Sequence, residues 1–116
     1  MIKAINNAVG IELKRIGNDI VLEAKFDKDR ATERKIPIAK LQKILDERED
    51  SVEYTEEGQK KGKESKGLVI HVVPGQRPLT TKRKMIDIFF RPPTDGADLI
   101  VVEKDDFINA VRELIK

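Results

Sequence analysis

The sequence predicts an α+β fold: a mostly antiparallel sheet of five to six strands with two amphipathic helices, ordered strands, helix, strands, helix. Two observations carry this expectation. Apolar and polar residues alternate on both sides of Gly17-Asn18, the period-2 pattern of a half-buried hairpin. Apolar residues recur at helical spacing in two places, near 38–45 and near 107–115, and each stripe follows a β-like run. The 116 residues amount to one domain, 1–116, and a domain of this size removes roughly two-thirds of its unfolded surface from water.

The hairpin comes first. Val9, Ile11 and Leu13 alternate with polar residues, as do Ile20, Leu22, Ala24 and Phe26, and Gly17-Asn18 accepts the positive φ values of a two-residue turn. That turn sets Leu13 opposite Leu22, Ile11 opposite Ala24 and Val9 opposite Phe26, with all seven side chains on one face. It also sets Glu12 opposite Glu23, a mildly unfavourable pair. A short strand near 34–38 follows, with Pro37 at its end or on a sheet edge because proline cannot donate to a ladder. Leu41, Ile44 and Leu45 mark a helix over 39–49. Residues 46–66 begin acidic, end basic and hold only Val52 and Tyr54 as anchors, which reads as a charged loop or insertion.

Strands return at 68–73 and 85–90. Both are dense in apolar residues, so either both faces are covered or one face is kept apolar for another purpose. Pro92-Pro93-Thr94-Asp95-Gly96 is a turn, 99–102 a further strand, and Asp105 a candidate N-cap for the last helix. Its stripe is Phe107, Ile108, Val111, Leu114 and Ile115, with Lys116 at the negative end of the helix dipole. Ile36 and Val102 each precede by five positions the first apolar anchor of a helix, Leu41 and Phe107, and Ile44-Leu45 matches Ala110-Val111. This is a weak internal repeat, consistent with two strands-then-helix halves sharing one sheet.

Composition excludes several function classes. No apolar run approaches the ~18–20 residues of a spanning helix. The first fourteen residues build no apolar signal core, and the chain has no cysteine, which together favour a cytosolic protein without disulfides or thiolate chemistry. The single histidine, His71, sits inside an apolar strand, and the serines Ser51 and Ser65 have no elbow context, so no Ser/His/Asp triad forms. His71 is expected to face solvent or a neighbouring carboxylate. Glu12-Leu13-Lys14 and Glu23-Ala24-Lys25 have the Glu-x-Lys form of a metal-dependent nuclease strand. They lack the helix and adjacent aspartate of that site and read instead as the solvated face of the hairpin. The stretch Gly58-Gln59-Lys60-Lys61-Gly62-Lys63 lacks the spacing and the following Ser/Thr of a phosphate loop. The chain is therefore read as a non-enzyme, with no catalytic residues, metal or cofactor.

Charge is the informative feature. The formal net charge is only +2, but it is partitioned. Residues 46–57 hold seven acids against Arg48; residues 58–84 hold Lys60, Lys61, Lys63, Lys66, Arg77, Lys82, Arg83 and Lys84 against Glu64. Cations gathered in this way replace the counterions condensed on phosphates. If the acidic segment folds back on the basic one, it competes with a nucleic acid for the same groups. Phe89 and Phe90 point to opposite faces of one strand, so one of them, beside Met85 or His71 and flanked by Lys84 and Arg91, can serve as a stacking platform. Arg30, Arg34 and Lys35 extend the strip if their strand lies alongside.

Arg34-Lys35-Ile36-Pro37-Ile38-Ala39-Lys40-Leu41-Gln42-Lys43-Ile44-Leu45 and Leu99-Ile100-Val101-Val102-Glu103-Lys104-Asp105-Asp106-Phe107 each run from strand into helix. These joins resemble the closing step of the Whirly and Pur-type single-strand-binding modules, in which several antiparallel strands are followed by one helix. The resemblance implies a fold and a substrate class, and this chain carries fewer aromatics and glycines than those modules place on their binding strands. The resulting expectation is a small protein binding single-stranded DNA or RNA through Lys60, Lys61, Lys63, Arg77, Lys82, Arg83, Lys84, Phe89, Phe90 and Arg91. The alternative is a regulatory domain that homodimerises through its apolar strands; a membrane partner is expected in neither case.

Overall fold

The computed structural model describes residues 1–56, 66–73, 84–94 and 97–116, without the side chains of 92–94, 97 and 98. These residues form two antiparallel four-stranded meanders, each followed by a helix. The first half is β1 (Ile2–Lys3), β2 (Gly10–Ile16), β3 (Asp19–Lys25), β4 (Ala31–Pro37) and α1 (Ile38–Leu45). The second is β5 (Ser51–Thr55), β6 (Gly67–Val73), β7 (Met85–Thr94), β8 (Ala97–Glu103) and α2 (Lys104–Leu114). The α+β class and the order strands, helix, strands, helix are as expected, but eight strands in two sheets replace one sheet of five or six.

The two strands missing from the expectation are hidden for different reasons. β1 is too short to display an alternation. β5 lies inside the acidic stretch 46–66, where Val52 and Tyr54, which read as isolated anchors, are alternate inward residues of a strand. The hairpin register is as expected, with Leu13 opposite Leu22, Ile11 opposite Ala24 and Glu12 opposite Glu23, and Gly17 turns at φ +60°. Val9 departs from it. Its N–H bonds the Lys25 carbonyl at 2.9 Å while Gly10 is the register partner of Lys25, a bulge that turns Val9 outward to 45% exposure. α1 stops at Leu45, short of 49, and Glu47 beyond it adopts φ +57°. The N-cap of α2 is Glu103, and Asp105 instead joins Asp106 in the first turn, where the helix dipole favours carboxylates.

The halves follow one plan. β3 and β7, β4 and β8, and α1 and α2 begin 66 positions apart (19 to 85, 31 to 97, 38 to 104). Ile20 and Ile86, Leu22 and Ile88, Ile36 and Val102, Leu41 and Phe107, and Leu45 and Val111 are buried in matching places. β2 and β6 both open on a glycine. A Cβ on Gly10 would strike the Ile2 carbonyl oxygen, and one on Gly67 would lie 2.5 Å from that of Tyr54. The repeat glimpsed in the sequence therefore extends over both meanders, with the correction that each half owns a sheet.

Both inner sheet faces and both helix stripes belong to one core. α1 packs on β4 and β5, α2 on β2, β7 and β8, so each helix reaches the other half. Phe107 and Val111 of α2 are fully buried, worth ~1.5–3 kcal/mol each. The β1–β2 connection ties in as well: Ile5 N–H donates to the Val101 carbonyl at 2.7 Å, and Asn6 brackets β8 through the Leu99 carbonyl and the Val101 N–H. No helix among the described residues is long and apolar enough to cross a membrane.

Candidate nucleic-acid interface

The alternation that buries Leu68, Ile70, Val72, Ile86, Ile88, Phe90, Ile100 and Val102 turns the intervening residues of β6, β7 and β8 outward. Register sets them in rows across the second sheet. Glu53, Val69, Phe89 and Leu99 make one row; Ser51, His71, Asp87 and Val101 the next; Val73, Met85 and Glu103 a third. Val69, Phe89, Leu99, Val101, Val73 and Met85 are all half-buried. Among the described residues no helix packs on this face, because both helices lie on the inner side. One face of the dense strands is thus kept apolar without a helix to cover it.

Phe89 is the aromatic on that face. Phe90 is not: it is 1% exposed and meets the Phe26 ring edge-on, centroids 5.7 Å apart. Its assignment to the binding site is corrected, since a base cannot reach it. Arg91 is exposed two residues beyond Phe89 on the same face. The register Thr55–Gly67–Arg91 places the side-chain-less Gly67 between it and β5, and Arg91 Nη1 lies 3.3 Å from Glu53 Oε1. Lys84 is exposed just before β7, its carbonyl accepting the Lys104 N–H at 3.1 Å. Lys60, Lys61, Lys63, Arg77, Lys82 and Arg83 lie outside the described residues.

Acids of 46–57 pair with cations outside the basic segment 58–84, most of which lies outside the described residues. Besides Glu53 on Arg91, Glu47 sits 3.2 Å from Lys104 Nζ and Glu49 3.9 Å from Lys43. The hydrogen bond from Lys104, with Lys84 nearby, holds the Glu47 carboxyl below its ordinary range. Asp87 moves the other way: burial on the apolar face raises its pKa, partly offset by His71, its exposed cross-strand neighbour.

The extension of the strip through Arg30, Arg34 and Lys35 is also corrected. Arg30 pairs with Asp27 at 2.7 Å, and Lys35 is exposed on the outward face of the first sheet. Arg34 is 6% exposed between the sheets, donating to the Arg91 carbonyl, Thr32 Oγ1 and the Glu33 carbonyl at 3.1, 2.7 and 2.7 Å. Desolvation lowers its pKa, and the charge of Glu56 opposes that shift. It occupies the place that Ile100 holds in the second half.

Glu12, Lys14, Glu23 and Lys25 lie on the outward face of the first sheet, Lys25 4.0 Å from Glu23, as a solvated face requires. Val69, Leu99 and Val101 were not singled out from the sequence; the parity of the dense strands was the signal that contained them. No family model, curated protein or solved structure matches the chain.

Proposed function

We propose that the chain is a non-enzymatic module that binds single-stranded DNA or RNA on the outward face of its second sheet. The observation that carries this reading is Phe89, a half-buried aromatic in the middle of a sheet face on which no helix packs among the described residues, with Arg91 beside it. A sheet face bearing an aromatic suits unpaired bases, because stacking supplies ~1–3 kcal/mol per base irrespective of sequence. Val69 and Leu99 on either side extend the apolar floor. Arg91 and Lys84 supply cations, and the connections before and after β6 carry Lys60, Lys61, Lys63, Arg77, Lys82 and Arg83 in sequence. The repeated strands-then-helix plan supports the same reading through its resemblance to the Whirly and Pur-type modules.

The test is fluorescence anisotropy of a labelled ~20-nucleotide single strand and its duplex at low and physiological salt, since phosphate contacts weaken steeply as salt rises. Saturable, salt-sensitive binding that favours the single strand is the expected result; absence of binding at low salt contradicts the reading.

The apolar row Val69–Phe89–Leu99 also favours a second reading, a homodimer that covers this face with its own copy. Light scattering at micromolar concentration separates the two: a monomer that binds the single strand supports the first reading, and a dimer indifferent to nucleic acid supports the second.

A further inference from the structure

The shared backbone plan makes each outward position of one sheet comparable with its counterpart in the other. β3 and β7 begin 66 positions apart, so Asp87 holds in the second sheet the place of Val21 in the first. Each contrasts with its surroundings. Val21 is a buried valine between Lys14 and Lys35, with Glu23 two positions along its own strand. Asp87 is a half-buried acid between His71 and Val101, with Phe89 two positions along its strand and Val69 and Leu99 beside that ring. The fold does not require a carboxylate here, since valine serves in the matching place.

This carboxylate is short of donors. Burial raises its pKa, and only the charge of His71 opposes the shift, with no hydrogen bond to the carboxylate among the causes. An ionised acid in apolar surroundings is stabilised by a ligand that brings N–H groups to it. Phe89 can stack any base, so the residue next to it decides which base edge is welcome. A carboxylate accepts on both oxygens and therefore favours an edge with two adjacent donors. Guanine presents N1–H beside its 2-amino group. Adenine and cytosine set a ring acceptor beside their amino group, and thymine and uracil set one N–H between two carbonyls. Each of those edges turns a lone pair toward an acid.

We infer that the second sheet selects guanine: a guanine of the bound single strand stacks on Phe89 and donates from N1 and its 2-amino group to the Asp87 carboxylate. His71 lies on the β6 side of Asp87, where a ring N–H suits the O6 of a base so placed. Arg91, two positions beyond Phe89, supplies a cation for the adjoining phosphate. Asp87 also acts as a filter, because its charge opposes a polyanion unless the base offers both donors. The inference rests on the nucleic-acid reading and adds a base preference to it.

The probes are labelled single strands of ~20 nucleotides at low salt, where phosphate contacts hold every sequence most tightly. Three are repeats of dT-dT-dG, dT-dT-dA and dT-dT-dC; in a fourth, hypoxanthine, which lacks the 2-amino group, replaces guanine. Anisotropy titrations of the full chain are expected to show the guanine repeat bound at least about tenfold more tightly than the adenine or cytosine repeat. The hypoxanthine repeat is expected to bind about fivefold more weakly than the guanine repeat. Because that change is made in the ligand, folding of the protein does not enter the comparison. Asp87→Asn is expected to bring the guanine repeat within about twofold of the adenine repeat. Equal binding of the guanine and adenine repeats, undiminished binding of the hypoxanthine repeat, or an unchanged preference in Asp87→Asn would overturn the inference and leave the nucleic-acid reading standing. Binding of none of the four strands would overturn both.

Discussion

The outward faces of the two sheets carry opposite chemistry on the same backbone plan. In the first sheet, the register row Glu12–Glu23–Glu33 bears three carboxylates; its counterpart in the second sheet is Val69–Phe89–Leu99. The inner faces hardly differ, with isoleucine, leucine and valine recurring at matching positions and a glycine opening the second strand of each sheet. Burial dictates the inner pattern, since both halves must fill one core. The outward faces do not share that core, and there the two halves diverge. The first face bears this charged row beside the buried Val21, and on the proposed nucleic-acid reading the apolar row is the part of the second face that meets the ligand.

The largest effect separates the two adjacent phenylalanines. Phe90→Ala removes a fully buried ring and its edge-on contact with Phe26, and is expected to cost ~3–5 kcal/mol in urea denaturation. Phe89→Ala is expected to cost about 1 kcal/mol of stability, the scale of its cross-strand pairs, and at least about tenfold in single-strand affinity. Similar stability losses for both would place Phe89 in a covered layer and break the contrast between faces.

The next test concerns the shared plan. Gly67→Ala drives a Cβ into the backbone of β5, a five-residue strand held between β6 and α1, and is expected to cost ~2–4 kcal/mol. Gly10→Ala strikes the Ile2 carbonyl oxygen and puts a side chain at φ +159°, and is expected to cost a similar ~2–4 kcal/mol. Chemical denaturation of both variants checks this, and a neutral Gly67→Ala would contradict the close approach.

Two smaller effects sharpen the view of the second face. Glu53→Gln releases Arg91 from an exposed ion pair worth about 0–1 kcal/mol. Single-strand affinity is expected to rise about two- to threefold at low salt, with the gain lost at high salt as screening sets in. Asp87 has a raised pKa in the folded state, so its ionised form costs stability above that value and the cost disappears below the unfolded value. Asp87→Asn is therefore expected to melt slightly higher than the parent at neutral pH, with the gap closing near pH ~3. A constant gap across that range would contradict burial as the cause.

How much of this was legible depended on range. The β2–β3 register was readable because Gly17-Asn18 fixes a two-residue turn and period 2 does the rest. The two helix joins were readable from Ile36 to Leu41 and from Val102 to Phe107. That Phe89 and Phe90 face opposite ways was also plain, but which one faces inward is decided by where the helices pack. Arg34 misled for the same reason. A charged residue reads as surface, and only the approach of β4 to the end of β7 adds the Arg91 carbonyl to the Thr32 hydroxyl and Glu33 carbonyl of its own strand and lets it be buried. β5 was hidden by its own acids, with two apolar residues among seven carboxylates of 46–57.

The most direct test of the central claim is a backbone amide NMR titration of the full chain with the ~20-nucleotide single strand at low salt, where phosphate contacts are strongest. The account predicts that the largest shifts fall on Val69, Phe89, Arg91 and Leu99, while Glu12, Glu23 and Glu33 stay in place. Shifts concentrated on the first sheet, or none at all, would contradict it.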